Sequence, residues 1–297
     1  ARSGNDPADL GNYVRESGTA LFKDGVITGS DTGIEIGGNF AAGNFENIEV
    51  TSPVDSGMEI VGQTAAVVDG LTVTGGTYGV LAGTSASGSI DLLNIDLNGQ
   101  TSAGIFYVKD ISGDLSGTIV NSAGPAFKYG PLSARDVAFD SVSIANNAIG
   151  VETAGTGTIT MNDVTMGNTK DVVITGPADV DFIEGTIDVN SVEVTGQGLF
   201  TRMRELAVTV NADSSAVSGA TVNLLDASGA AAGTGITDSS GQVGGLTFTT
   251  ATVDNAGVTI PSLAGYEVST VAKIGYYYTS STNNLMDFRY GFHAATL

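Results

Sequence analysis

The chain has 297 residues, 41% apolar side chains and a formal net charge of −21, which arises less from its 32 acidic residues than from having only 11 basic ones. That balance argues against nucleic acid as a partner, because neutralising phosphates needs clustered Lys and Arg, and against an anionic membrane surface for the same reason. The absence of cysteine excludes disulfides and thiolate chemistry, and no run of 18 apolar residues is available to span a membrane as a helix.

Residues 1–18 are polar, with Leu10, Tyr13 and Val14 as scattered apolar anchors. Two readings are open: a cap over the first repeat that follows, or an arm that docks on a neighbouring subunit by strand addition. The chain begins at Ala1 without a hydrophobic leader, as a mature secreted protein or a trimmed chain would.

From residue 19 to residue 203 one phrase recurs, beginning at Phe22, Phe45, Val68, Leu92, Leu115, Phe139, Met161 and Ile183, in steps of 23, 23, 24, 23, 24, 22 and 22 residues. Positions 0, +3 and +5 of each repeat are mostly apolar, as in Phe45, Ile48 and Val50, with Gly25, Thr118 and Thr186 as weaker members. Position +2 reads Asp24, Asn47, Gly70, Asn94, Gly117, Ser141, Asp163 and Gly185, all residues that tolerate turns, so a corner is expected there in every repeat. A second alternating strand follows, with inward pairs such as Ile34/Ile36, Met58/Ile60 and Val80/Ala82, and it usually opens with Gly. Such units cannot bury their own apolar side chains and must stack. The period, the short strands and the lack of helical spacing predict a right-handed, single-stranded parallel β-helix of about eight coils. A leucine-rich repeat is excluded because its Leu/Asn consensus is missing. At about 4.8 Å per coil the rod would be roughly 38 Å long. The fifth coil, Leu115–Arg135, carries two prolines and is the least regular.

At residues 204–297 the repeat stops and longer alternating strands begin. The series Val217-Ser-Gly-Ala-Thr-Val-Asn-Leu, Thr237-Asp-Ser-Ser-Gly-Gln-Val and Lys273-Ile-Gly-Tyr-Tyr resembles the carboxypeptidase-regulatory-like, transthyretin-type β-sandwich. The resemblance covers about 80 residues and implies an antiparallel sandwich, a hairpin turn at Thr237-Asp-x-x-Gly and a non-catalytic spacer or adhesive role. The order of modules is similar to that of archaeal and bacterial cell-surface proteins. In the tail, Met286, Phe288, Tyr290 and Phe292 alternate with polar or small residues. They would finish the sandwich, or dock against the β-helix or a neighbouring subunit.

β-Helix lyases and hydrolases set carboxylates and a base on one sheet face, so the outward column of the second strand tests for an enzyme. It reads Glu35, Glu59, Leu81, Phe106, Lys128, Glu152, Val173, Glu193. Glu35 and Glu59, about 5 Å apart, repel unless a cation such as Ca²⁺ intervenes or the side chains splay into solvent. No Arg stands in the column and its Lys is three coils away, so no catalytic set is expected. Leu81 and Phe106 are adjacent outward apolar residues, and either a loop or another molecule would cover them. His293 lacks a partner in any recognisable motif, and Asp238 and the Asp/Asn corner column read as turn chemistry.

The expectation is therefore a non-enzymatic extracellular or cell-surface protein that assembles with itself into a filament, sheath or surface layer. Its candidate contacts are Leu10, Tyr13, Val14, Leu81, Phe106, Met286, Phe288, Tyr290 and Phe292. No cofactor is expected beyond Ca²⁺ at Glu35 and Glu59. A polysaccharide-binding or polysaccharide-degrading β-helix, or an adhesin or tail fibre, is the alternative.

Overall fold

A computed structural model describes residues 12–14, 19–36, 42–212, 215–226, 228–261 and 267–272. Among them the protein is all-β, with a single three-residue 3₁₀ turn at Val189–Ser191. The first unit, 1–201 with Val253–Val258, holds a β-solenoid of about eight turns. Six coils each give one long and one short strand: β2 (Thr19–Thr28) and β3 (Thr32–Ile36), β4 (Ala42–Thr51) and β5 (Ser56–Ile60), β6 (Gln63–Thr74) and β7 (Tyr78–Ala82), β8 (Ser87–Asn98) and β9 (Ala103–Lys109), β10 (Ile111–Val120) and β11 (Pro125–Leu132), β12 (Val137–Ala145) and β13 (Ile149–Thr153). The seventh contributes β14 (Thr158–Asn162), β15 (Thr165–Gly167) and β16 (Lys170–Ile174), and the eighth β17 (Asp179–Ile183) and β18 (Val192–Val194). Before them β1 (Asn12–Val14) pairs with β3. The short strands stack in the order β1-β3-β5-β7-β9-β11-β13-β16-β18 and the long ones in the order β2-β4-β6-β8-β10-β12-β14-β17.

Parallel pairing puts like positions above one another. Phe22, Phe45, Val68, Leu92, Leu115, Phe139 and Met161 form one column, and Ile34, Met58, Val80, Ile105, Phe127, Val151, Val172 and Val192 another. From Phe45 and Met58 onward almost every member is below 3% exposed, so both columns face one continuous core. The middle of that core is aromatic, with Phe127 edge-on to Tyr107 at 5.3 Å and to Phe139 at 5.0 Å.

The corner column behaves as its composition demands. Asp24, Asn47, Asn94, Ser141 and Asp163 have φ between +51° and +56°, and Gly70 has φ +77°. The left-handed region costs an ordinary L-residue about 1–2 kcal/mol, and Asn and Asp visit it most readily. The Asn47 amide donates to Asp24 Oδ1 at 3.0 Å, and that of Asn94 to Asp69 Oδ1 at 2.8 Å.

Two register expectations need correction. In the fifth coil Gly117, not Thr118, pairs with Ile95 and Val142, and Ile119 takes the next inward place. This corner is one residue shorter, and Ser116 Oγ accepts the Asn94 N–H. In the eighth coil Met161 pairs with Phe182 rather than Ile183. Phe182 is fully buried beside Val180, and Glu184 at φ +59° makes the corner. The sixth coil also has a second inward pair, Val151 and Thr153, which the sequence reading passed over.

The second unit comprises residues 202–252 and 259–297. The chain runs out of the first unit along β19 (Phe200–Thr209). There follow β20 (Asn211–Ala212), β21 (Ser215–Ala216), β22 (Thr221–Leu225), β23 (Ala231–Ile236), β24 (Gln242–Asp254), β25 (Gly257–Thr259) and β26 (Glu267–Ala272). β23, β22 and β26 form an antiparallel three-stranded sheet, and β20 and β21 an antiparallel pair. Leu206, Val208, Val222, Leu224, Val243 and Leu246 belong to a core of this unit's own. The Thr237-Asp-x-x-Gly turn is present: Asp238 Oδ1 accepts the Ser240 and Gln242 N–H groups at 2.8 and 3.0 Å. Lys273 and the residues after it lie outside the described residues.

Candidate functional site

The outward face of the short-strand sheet is built by the even side-chain alternation of a strand whose inward partners are locked in the core. Register places Tyr13, Glu35, Glu59, Leu81, Phe106, Lys128, Glu152, Val173 and Glu193 in one column. The sequence-predicted neighbours are therefore neighbours in space. Glu35 and Glu59 share a rung boundary, and Glu59 is held above the ordinary carboxylate range, first by partial burial, then by the charges of Glu35 and Asp55. Among the described residues no group of three or more His, Asp or Glu is positioned to hold a metal. Ca²⁺ would thus have two carboxylates here and would relieve their repulsion.

Leu81 and Phe106 are half-buried rather than openly exposed. The reason is a residue that sequence reasoning missed. Tyr78, whose ring lies 5.9 Å from that of Phe106, covers it from one side, and the Lys128 ammonium sits 5.6 Å from the ring centroid on the other. Lys128 in turn pairs with Glu152 at 2.9 Å. The signal for Tyr78 was its place two residues before the inward Val80, where the adjacent coils carry Ser56 and Ala103. Val14 pairs in register with Ile36. Leu10, Met286, Phe288, Tyr290, Phe292 and His293 lie outside the described residues.

A second feature marks the first coil. Phe22 stacks on Phe45 at 5.2 Å, and a cavity of about 140 Å³ opens beside them, lined also by Gly25, Ile27, Ile34 and Ile48. Gly25 stands where the next coils carry Ile48, Leu71 and Ile95, so the column of large side chains is interrupted there.

Sequence reasoning also missed a polar ladder inside the wall. The Gln100 amide donates to Val73, Gly75 and Asn98 carbonyls. Asn147 donates to Ile119 and Ala145 carbonyls and to Asn168 Oδ1, and accepts the Ser122 N–H. Asn168 donates to Asp171, which also accepts the Ser191 hydroxyl. Acids serve the backbone elsewhere: Asp91, Asp110, Asp136 and Asp179 accept N–H groups of Asp114, Ala134, Thr158 and Leu199. Asp226 and Asp238 lie below the ordinary carboxylate range, held there first by the hydroxyls of Ser228 and Ser240. Acidic residues that invite reading as ligands are thus occupied as turn and coil fasteners.

No family model, curated protein or solved structure matches the chain. The functional argument therefore rests on geometry. No helix among the described residues is long and apolar enough to cross a membrane.

Proposed function

We propose that this is an extracellular or cell-surface structural protein, a right-handed β-helix joined to an antiparallel β-sandwich, that polymerises into a filament, sheath or surface layer. It has no catalytic role in this reading and needs no cofactor, with Ca²⁺ at Glu35 and Glu59 as an auxiliary. One observation carries the proposal. β2 ends the order of the long-strand sheet among the described residues, and on it Leu21 and Val26 are 62% and 70% exposed. An apolar terminal strand is a template for another chain. A contact that joins one end of a molecule to a different surface of the next propagates without closing.

Negative-stain electron microscopy at neutral pH, with and without millimolar Ca²⁺, tests this reading. Regular filaments or sheets are expected, and deleting residues 285–297 should leave the fold and abolish them. Dispersed short particles from the intact chain under both conditions would overturn it.

The Tyr78–Phe106 pair with Lys128 and Glu152 favours a second reading, a surface on which polysaccharide stacks. Retention of the protein on an acidic polysaccharide, lost in Phe106→Ala, would support it. New unsaturated or reducing ends would extend it to catalysis. A discrete stable trimer would favour an adhesin or tail fibre.

A further inference from the structure

We propose that the cavity at Gly25 and the edge of β2, unpaired among the described residues, form an acceptor for residues 285–290 of a second copy, which add as one more parallel rung. This inference rests on the polymer reading above and specifies its joint.

The acceptor is defined by what the first coil lacks. Every solenoid rung is completed by the rung before it, whose inward side chains cover its own. β2 has no such neighbour among the described residues, and Gly25 removes a side chain where Ile48, Leu71 and Ile95 stand in the next three coils. The resulting cavity, about 140 Å³, is apolar on the sides made by Phe22, Ile27, Ile34 and Ile48. The nearest upstream residues do not suit it. β1 pairs with β3 at an offset of 22 residues, Asn12 with Ile34. Counted on at that offset in the sequence, Ser3 and Asn5 would correspond to Gly25 and Ile27, and neither is an apolar residue.

The tail does suit it. Leu285-Met-Asp287-Phe288-Arg-Tyr290 repeats the coil phrase itself: apolar at 0, a corner residue at +2, apolar at +3 and +5, as in Phe45-Glu-Asn47-Ile48-Glu-Val50. In the same register Leu285 lies against Phe22, Phe288 against Gly25 and Tyr290 against Ile27. A phenyl ring thus meets the position where the wall is empty. Main-chain pairing along β2 supplies affinity and the pocket supplies register, the division of labour of strand addition. A second copy is the donor proposed, and the crosslinks below separate it from the chain's own tail.

The chain has no cysteine, so Val26→Cys and Arg289→Cys report the pairing directly. An oxidised equal mixture of the two single variants of the full-length protein should give a disulfide-linked dimer. Gly25→Leu, at a backbone conformation open to L-residues and with Ile48 Cδ1 3.3 Å from the added Cβ, should fill the cavity from within. It should lose pelletable polymer while keeping its circular dichroism. An exclusively intrachain disulfide in the variant carrying both substitutions would show that the tail folds back on its own chain and would overturn the proposal. Polymer that forms without a crosslink between the two introduced thiols, or with Gly25→Leu as well as with the parent, would overturn it and leave the polymer reading standing. Failure of the parent chain to polymerise at all would remove both. Should Gly25→Leu misfold, the crosslink decides alone.

Discussion

At the scale of single residues, the glycines that open the short strands show how one missing Cβ sets the cross-section. A Cβ on Gly57 would lie 2.4 and 2.6 Å from the two γ-carbons of Val73 on the facing wall, and one on Gly33 2.7 Å from Val50. Only glycine leaves room here. Gly57→Ala should therefore cost about 1–3 kcal/mol of overpacking, seen as a lower midpoint in thermal unfolding. Gly167→Ala, whose Cβ would meet nothing nearer than Ala145 Cβ at 3.8 Å, should be neutral or slightly stabilising. Glu59 gives a pH-dependent case. Its carboxyl holds a proton more tightly in the folded chain than in the unfolded one. The folded state therefore binds more protons, and stability falls as pH rises through that raised pKa. Glu59→Gln should raise the melting temperature at pH 7–8 and change little near pH 4, where the parent carboxyl is protonated. Calorimetry across that range, repeated with millimolar Ca²⁺, also shows whether the ion stabilises the parent and not the variant.

At the scale of the element, a coil is held by its inward columns and by polar groups that tie one corner to the next. The Asn147 side chain satisfies two carbonyls, one side chain and one backbone N–H inside the wall, while remaining 2% exposed. Asn147→Ala would remove all four bonds, at about 1–3 kcal/mol for each buried group left unsatisfied, the Ser122 N–H among them. The expected result is a lower urea midpoint and faster amide exchange in the coils on either side, with distant coils unaffected, because a repeat contacts only its neighbours. Uniform loss of protection through all eight coils would contradict that nearest-neighbour picture. The irregular fifth coil is the element where sequence and structure agree on an anomaly: the β9–β11 register shifts between Tyr129 and Leu132, where Pro131 and an exposed Leu132 interrupt the ladder. Burial pushes the Tyr129 hydroxyl up to about 12, and it donates to the Arg135 carbonyl across this bend.

At the scale of the whole molecule, a net charge of −21 makes copies of the chain repel one another. The ion pairs Lys23–Glu46, Lys128–Glu152 and Lys170–Glu193 leave that net excess unchanged. Assembly through an apolar strand joint should therefore strengthen with salt. Raising ionic strength from about 0.01 M to about 0.15 M shortens the screening length from about 30 Å to about 8 Å. The pelleted fraction should rise over that range in sedimentation. A fall would point to a joint made by opposite charges instead.

Much of this was legible in the chain because it is local. Period-2 alternation, a repeat of 22 to 24 residues and a column of Asp, Asn and Gly are all written within single coils, and together they determined the stacked β-architecture, the inward columns and the left-handed corners. The outward neighbours Glu35 and Glu59, and Leu81 and Phe106, followed by counting along the same repeat. What the tertiary structure decided is what depends on atoms brought together from different coils. Tyr78 shelters Phe106 from the coil before it. The Gln100, Asn147 and Asn168 ladder forms only once carbonyls of adjacent coils converge. Phe182 displaces Ile183 from the core because the larger ring, flanked by Val180, fills the inward side of its strand. The space beside Gly25 acquires meaning only as a gap in a column that the next three coils fill with Ile48, Leu71 and Ile95, which no single repeat can reveal.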